Sequence, residues 1–484
     1  MDDHSRDNHV PGRTSRDRQE PLEDLGRSRR WHLVGVGGPG MAPLALLLQA
    51  CGQQVSGSDM REVPVLAELR DAGVAVHVGH DPRLVEGVDV VVYSTAVPAD
   101  NVEIVAAREA GIRVCHRAVA LGSVCASAVA IGVAGAHGKT TTSALVASML
   151  RTAGRDTASY IGADVPGGET LPPNGVVGAD TTLVVEADES DGTIEMLPLR
   201  AIAVTNIDVD HLDYWGDLEG IVAGFTDVVE SAASRGDAPV VLNADDPLSK
   251  RLAAVIPEGR ARWFGTGIGS DVRIVGTVPA ASGVEVLLVV DGQEVLVRLP
   301  LRGAHNAANL ACAIAVATSL GVDLPACAAA AESFGGVERR FSERGDLDGM
   351  VVIDDYAHLP AEIAATLAAA HEHPRLTGRV IAVFQPNRFH RIAVMADDYA
   401  DCFAGADHVV ITDIYASGTA AIEGVTGRLV VDAVARRHGS VVWAQSRADV
   451  VRAVLEVARP GDVCVGMGCG DIATLASDLG VAGR

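Results

Sequence analysis

The chain has 484 residues, 48% of them hydrophobic, and 63 acidic against 39 basic side chains give a net charge of −24. That length allows about three domains of roughly 150 residues each, and the acidity argues against a general nucleic-acid binder, which needs a basic footprint. A small anion can still be held by a few local cations. Only two basic residues are lysines, Lys139 and Lys250, so a lysine at a chemically loaded position stands out. No stretch reaches the ~18 apolar residues of a membrane span, and the charged N-terminus has no apolar signal-peptide core. The eight cysteines form no CxxC pair, which suggests neither zinc nor a disulfide framework and points to the reduced cytoplasm.

Residues 1–30 mix seven acids with seven arginines and few large apolar groups, the composition of a disordered tail. From Trp31, short β-rich runs alternate with Ala/Leu-rich helical stretches: WHLVGV, PLALLLQACG, QQVSGSD, VPVLAELRDAG and DVVVYSTAV. The pattern restarts at 127–135 (SAVAIGVAG) and at 350–356 (MVVIDDY), the latter followed by RVIAVFQP, HVVITDIY, SVVWAQ and DVCVGMG. Strands alternating with helices predict parallel sheets. The expectation is an α/β chain of three domains: Rossmann-like over 31–118, P-loop ATPase-type over 119–330, and Rossmann-like again over 331–484.

Gly35-Val36-Gly37-Gly38-Pro39-Gly40 leaves the first strand and opens a helix, and Asp59 ends the next strand. The spacing fits a pyrophosphate on backbone N–H groups with an acid for a ribose, or merely a tight turn. It does not distinguish NAD, FAD and a UDP-sugar. Gly135-Ala136-His137-Gly138-Lys139-Thr140-Thr141-Thr142 is more specific, although Val133 stands where the usual P-loop has its first glycine. N–H groups at that helix start can cradle phosphates, Lys139 can reach the β/γ oxygens, and Thr140 can ligate Mg²⁺. A compact ammonium suits this cradle better than a guanidinium fork.

Next, TTLVVEADESDG ends a strand in Glu186, where a Mg²⁺ ligand would sit. For Asp188, Glu189 and Asp191 a solvated acidic loop is the plain reading. The strand AIAVTNI ends among Asp208, Asp210, His211 and Asp213, where one neutral imidazole could ligate a metal or be structural. Asn306 and Asn309 share a helix face and could bind a polar ligand or cap the helix. Asp354–His358 and Gln385–Arg391 leave strand ends, the edge where α/β proteins bind ligands, and Arg388 with Arg391 could clamp an anion.

Taken in order, these motifs resemble the Mur ligase family over about 31–484. The resemblance rests on GVGGPGM at 35–41, VSGSD at 55–59, GAHGKTTT at 135–142, EADESD at 186–191, TNIDVDHLD at 205–213, GAHNAANL at 303–310, RRF at 339–341, DDYAH at 354–358 and FQPNRFHR at 384–391. It implies an ATP- and Mg²⁺-dependent enzyme joining a UDP-muramoyl carboxylate to an amino acid through an acyl phosphate. GVGGPGM points to the branch that joins L-alanine to UDP-N-acetylmuramate, with a peptide-adding sister ligase as the near rival. A tandem-dinucleotide dehydrogenase would leave the P-loop idle, and a non-catalytic P-loop module would explain only the middle domain.

Carried over by position, Gly135, Ala136, His137, Gly138, Lys139, Thr140 and Thr141 bind ATP with His305, Asn306, Asn309 and Arg340. Thr140 and Glu186 hold one Mg²⁺, His211 ligates a second metal, and Arg340 and Asp355 complete the ATP side. Tyr356, Arg388 and Arg391 surround L-alanine, while Gly37, Gly38, Gly40, Asp59, His80 and Ser94 hold UDP. Three positions depart from the family pattern: Leu359 and Asn387, where it has His, and Thr419, where it has Glu. All three fall in the last domain.

Overall fold

The computed structural model describes residues 25–481 except residue 237. The expected tail lies outside the described residues up to 24, but 25–30 are tied down rather than disordered. Leu25 is buried in the first core, and its carbonyl accepts from Gln53 Nε2 at 2.8 Å. Gln53 Oε1 in turn accepts from the Arg29 N–H at 3.0 Å and from Trp31 Nε1 at 3.1 Å. One buried amide therefore satisfies backbone groups that an isolated terminus would leave to water.

Three sheets form, as the alternation predicts. In the first, β1 (Arg30–Val34), β2 (Gln54–Asp59), β3 (Ala75–Val78), β4 (Val90–Tyr93) and β5 (Arg113–His116) pair in parallel in the order β3-β2-β1-β4-β5. The second contains β6 (Val129–Ala134), β7 (Thr157–Tyr160), β8 (Thr182–Glu186), β9 (Ala201–Val204), β10 (Val240–Asn243), β11 (Ala261–Gly265), β12 (Val272–Ala280), β13 (Gly283–Val290) and β14 (Gln293–Leu299). Its order is β14-β13-β12-β11-β10-β9-β6-β8-β7, parallel from β7 through β12. The third contains β15 (Ser342–Leu347), β16 (Met350–Asp355), β17 (Val380–Phe384), β18 (His408–Ile411), β19 (Val441–Trp443) and β20 (Val463–Met467), in the order β15-β16-β20-β17-β18-β19. Only the edge strand β15 is shown running antiparallel there.

The central strands read as unbroken Val/Ile/Ala runs because helices cover both faces, so no polar residue is needed on alternate positions. β16, β17 and β20 are buried at every residue. Strands β12 to β14 carried no such signal, since half of β12 is exposed. Contacts group the chain into two compact units. One runs up to Gly276 and adds Leu287–Val297 and Ala308–Phe334; the other comprises Thr277–Val286, Arg298–Ala307 and the chain from Gly335.

In the parallel parts of the first two sheets the strand order reverses beside a glycine loop. β1 lies between β2 and β4, and β6 between β8 and β9. Chains leaving neighbouring strands there diverge to opposite faces and leave a crevice at the carboxyl edge.

Candidate active site

The buried strand β6 delivers the second glycine loop to that edge. Gly135 has φ +124° and Gly138 φ +81°, backbone that L side chains avoid. A Cβ on Gly135 would lie 2.3 Å from Thr205 Oγ1 and 2.7 Å from the Asn206 carbonyl; on Gly138 it would lie 2.2 Å from Asn309 Oδ1. The loop is fastened by its neighbour strand. Asn206 accepts from the His137 N–H at 2.9 Å and donates to the His137 carbonyl at 3.0 Å, and Thr205 Oγ1 donates to the same carbonyl at 2.6 Å. His137 Nε2 lies 3.1 Å from Asp208 Oδ2. Asn309 thus packs against the loop, and Asn306, also buried, donates to the Arg302 carbonyl at 2.7 Å.

The helix Lys139–Thr152 starts directly from the loop. Lys139 Nζ donates to the Gly135 carbonyl at 2.6 Å, the Ala136 carbonyl at 3.3 Å and Glu189 Oε1 at 2.7 Å. Thr140 Oγ1 donates to Glu186 Oε1 at 2.6 Å, while Glu186 Oε2 accepts from the Gly162 N–H at 2.8 Å. A hydroxyl and a carboxylate brought together at the strand end are hard oxygen donors of the kind Mg²⁺ takes. Thr141 is buried in the first turn of that helix. His211 sits at φ +53° ahead of the short helix Leu212–Trp215, with Nε2 3.1 Å from Asp210 Oδ2. Among the described residues no group of three His, Cys, Asp or Glu side chains is arranged to hold a metal, so His211 meets a carboxylate and not a ready ligand set.

The acids beyond Glu186 are not a solvated loop. Glu189 is 4% exposed, and Asp188 and Asp191 lie 3.1 and 2.9 Å from Arg117 Nη2. Arg117 Nη1 also donates to the Tyr160 hydroxyl at 3.2 Å, which donates to the Gly40 carbonyl at 3.0 Å. Burial opposes every charge here. Arg117 and Lys139 nevertheless hold the Asp188 carboxyl well below its usual range, whereas Glu189 is pushed up to about 7 by burial, which Lys139 only partly offsets.

The first glycine loop closes on its own acid. Asp59 Oδ2 accepts from the Gly37 N–H at 3.0 Å, and the Gly38 N–H donates to the Gly35 carbonyl at 3.0 Å. Gly40 faces Arg117 and Tyr160, which leave no room for a Cβ. His80 Nδ1 lies 3.0 Å from Ser58 Oγ and 3.3 Å from Glu103 Oε1. Ser94 is half-buried just past β4, at the point of reversal. Glu103 carried no sequence signal, being an ordinary helix position. It is fully buried, accepting from Ser58 Oγ at 2.6 Å and lying 3.3 Å from His32 Nε2.

The second unit gathers a separate cluster at the carboxyl ends of β16, β17 and β20. Asp355 ends β16, accepting from the Phe341 N–H at 2.7 Å and the Ala357 N–H at 2.8 Å, with burial raising its carboxyl. The Arg339 and Arg340 guanidinium groups lie 5.1 and 5.2 Å from the Tyr356 ring centre, within cation–π range. Burial and the nearby Arg340 push His305 down to about 4, so its imidazole is neutral at physiological pH. Arg388 takes φ +61° at the start of the helix Phe389–Met395, and Arg391 is buried. The departures from the family pattern are built in. Asn387 accepts from Arg391 Nη1 at 2.8 Å, Thr419 Oγ1 accepts from the Phe389 N–H at 3.2 Å, and Leu359 is buried ahead of its helix.

Sequence reasoning missed Cys469, which follows β20. Its thiol feels the neighbouring His358 and Tyr356, and His358 Nδ1 lies 3.2 Å from Glu362 Oε2. Burial works to raise the thiol, but His358 brings it below the usual range. Cys115, Cys125, Cys327, Cys402 and Cys464 are pushed up to about 12 by burial, and Cys312 is also raised. Since the thiolate is the nucleophile, iodoacetamide at neutral pH is expected to label Cys469 first, and His358→Gln to slow that labelling. Peptide mass spectrometry reads both; labelling of the buried six at the same rate contradicts it.

Three family models match in sequence: the Mur ligase family catalytic domain over residues 30–128, the Mur ligase middle domain over 133–317, and the Mur ligase glutamate ligase domain over 339–470. A UDP-N-acetylmuramate–L-alanine ligase of Acidothermus cellulolyticus is 41% identical over 462 residues, covering 94% of each chain. One from a Bradyrhizobium species is 39% identical, over 93% of this chain and 96% of its own. The crystal structure of the UDP-N-acetylmuramate–alanine ligase of Thermotoga maritima superposes with a TM-score of 0.75 at 27% identity, covering 93% of this chain and 98% of that one. Nearly full-length identity on this scale, together with a P-loop, its paired Thr140 and Glu186, and three successive α/β sheets, establishes that the chain belongs to the Mur ligase family.

Proposed function

We propose that the chain joins L-alanine to the carboxylate of UDP-N-acetylmuramate at the expense of ATP, for peptidoglycan synthesis in the cytoplasm. The observation that carries this is the 41% identity across 94% of both chains to a ligase of that name. No described helix is long and apolar enough to cross a membrane.

A carboxylate resists amines because its charge repels the nucleophile and its oxide is a poor leaving group. Moving the γ-phosphoryl of ATP onto it creates an acyl phosphate, which the amine then attacks with loss of inorganic phosphate. Lys139 and the loop N–H groups offset the charge that converges in the first step. Thr140 and Glu186 would hold Mg²⁺, which supplies further charge neutralisation at the phosphates, and His211 is assigned to a second metal. The first glycine loop with Asp59, His80 and Ser94 takes the UDP. His305, Asn306, Asn309, Arg340 and Asp355 are assigned to ATP, and Tyr356, Arg388 and Arg391 to L-alanine. Holding reactants in line is worth about 7–11 kcal/mol of barrier.

The test is phosphate release measured with L-alanine, glycine, L-serine and a tripeptide side by side. Release should require both UDP-N-acetylmuramate and an amino acid, with L-alanine fastest. Release indifferent to the sugar nucleotide, or NADH binding without ATP hydrolysis, would sink the reading. A tripeptide outpacing L-alanine would move it to a peptide-adding ligase.

A further inference from the structure

An ammonium has three N–H donors, and those of Lys139 point to two loop carbonyls and to Glu189. The carbonyls belong to the loop and stay with it. Glu189 is therefore the partner whose place a phosphate oxygen would take. The displaced carboxylate would be badly placed: its Oε2 is buried without a hydrogen-bond partner, and the residue is 4% exposed.

We infer that Glu189 is a displaceable counter-ion, a positioning residue that holds the Lys139 ammonium over the loop until ATP takes it, and is then neutralised by a proton. This rests on the proposal that the loop binds ATP. The charged groups around Glu189 leave it no substitute. From its own segment come Asp188 and Glu186, both acidic. Arg117, from the helix Arg117–Ala126, is engaged by Asp188 and Asp191. Trp215 donates to the Glu189 backbone carbonyl and not to its carboxylate. With Lys139 turned to phosphate, the carboxyl keeps its burial and its acidic neighbour and loses its cation. An unpaired buried carboxylate takes up a proton sooner than remain charged.

Before nucleotide arrives, burial has already pushed the Glu189 carboxyl up to about 7. At pH 8 it is then mostly ionised, and binding should draw in close to one proton per ATP; at pH 6 it is already mostly neutral and uptake should be much smaller. The experiment is titration calorimetry of ATP into the full-length protein in two buffers of different ionisation enthalpy. It is run at pH 6 and pH 8 on wild type and on Glu189→Gln, with circular dichroism confirming that the variant is folded. Glu189→Gln should bind ATP about tenfold more tightly at pH 8 and abolish the pH 8 uptake. ATP binding by wild type with no proton uptake at pH 8 overturns this inference alone, as does equal uptake in the variant. Absence of ATP binding by wild type overturns the nucleotide reading, and the inference with it.

Discussion

Lys139→Arg is expected to lower ATP-dependent turnover by at least about 10²–10³-fold, the usual cost of removing a preorganised donor from a developing charge. The position is enclosed. Nζ lies within 3.3 Å of two loop carbonyls and within 2.7 Å of Glu189, and the side chain is 15% exposed. A guanidinium is planar, wider and longer, and cannot place three donors on those acceptors without lifting the loop. Helix propensity barely changes between Lys and Arg, so the fold should survive with at most about 1–3 kcal/mol of overpacking. Phosphate release beside thermal unfolding separates the outcomes. Wild-type turnover in a folded Lys139→Arg protein would remove the lysine from the chemistry.

Gly135→Ala should be the most damaging loop substitution for its size. A backbone at φ +124° costs an L-residue about 1–3 kcal/mol. The added methyl also meets Thr205 Oγ1 at 2.3 Å and the Asn206 backbone at 2.7 and 2.9 Å. Backbone just past the neighbouring strand β9 cannot swing aside as a side-chain tip would, which adds about 1–3 kcal/mol. The same displacement breaks the Asn206 and Thr205 bonds that shape the anion cradle, so nucleotide binding should fall with stability. Gly154→Ala is the matched control. It has φ +74° with open space around it, so it should cost about 1–2 kcal/mol and leave ATP affinity alone. Calorimetric ATP titration and thermal unfolding of both variants check this, and equal losses of affinity would mean that backbone strain alone decides.

Much of the architecture was legible because it is written in local pattern. Short runs rich in apolar β-formers place β1, β6, β8, β16, β17 and β20, and glycines with a following lysine mark a loop that must leave a strand and start a helix. Glu186 was legible for the same reason, being the last residue of an apolar run. What local pattern does not carry is pairing between side chains distant in sequence. Glu189 reads as one more acid in a solvated stretch, and only the fold brings it to Lys139. Arg117 and Tyr160 gave no signal, yet they join the first glycine loop to Asp188 and Asp191. Glu103 and Cys469 were invisible because their significance comes from His32, His80 and His358, each delivered by another element. The expected tail failed at 25–30 on similar grounds, since its composition did not reveal Gln53 waiting to bind it.

The fastening of the nucleotide loop also bears on how the chain is made. His137 is bonded by Asn206, 69 positions later in the chain, and Lys139 by Glu189, 50 positions later. A parallel sheet whose β6 waits for β8 and β9 cannot close its centre from neighbouring residues, and such non-local closure is slow. During synthesis the loop therefore leaves the ribosome without its shape, and acquires a grip on phosphate only after the stretch through Asn206 has emerged. The loop that follows the first strand of its sheet thus takes shape only after two later strands, β8 and β9, have been made.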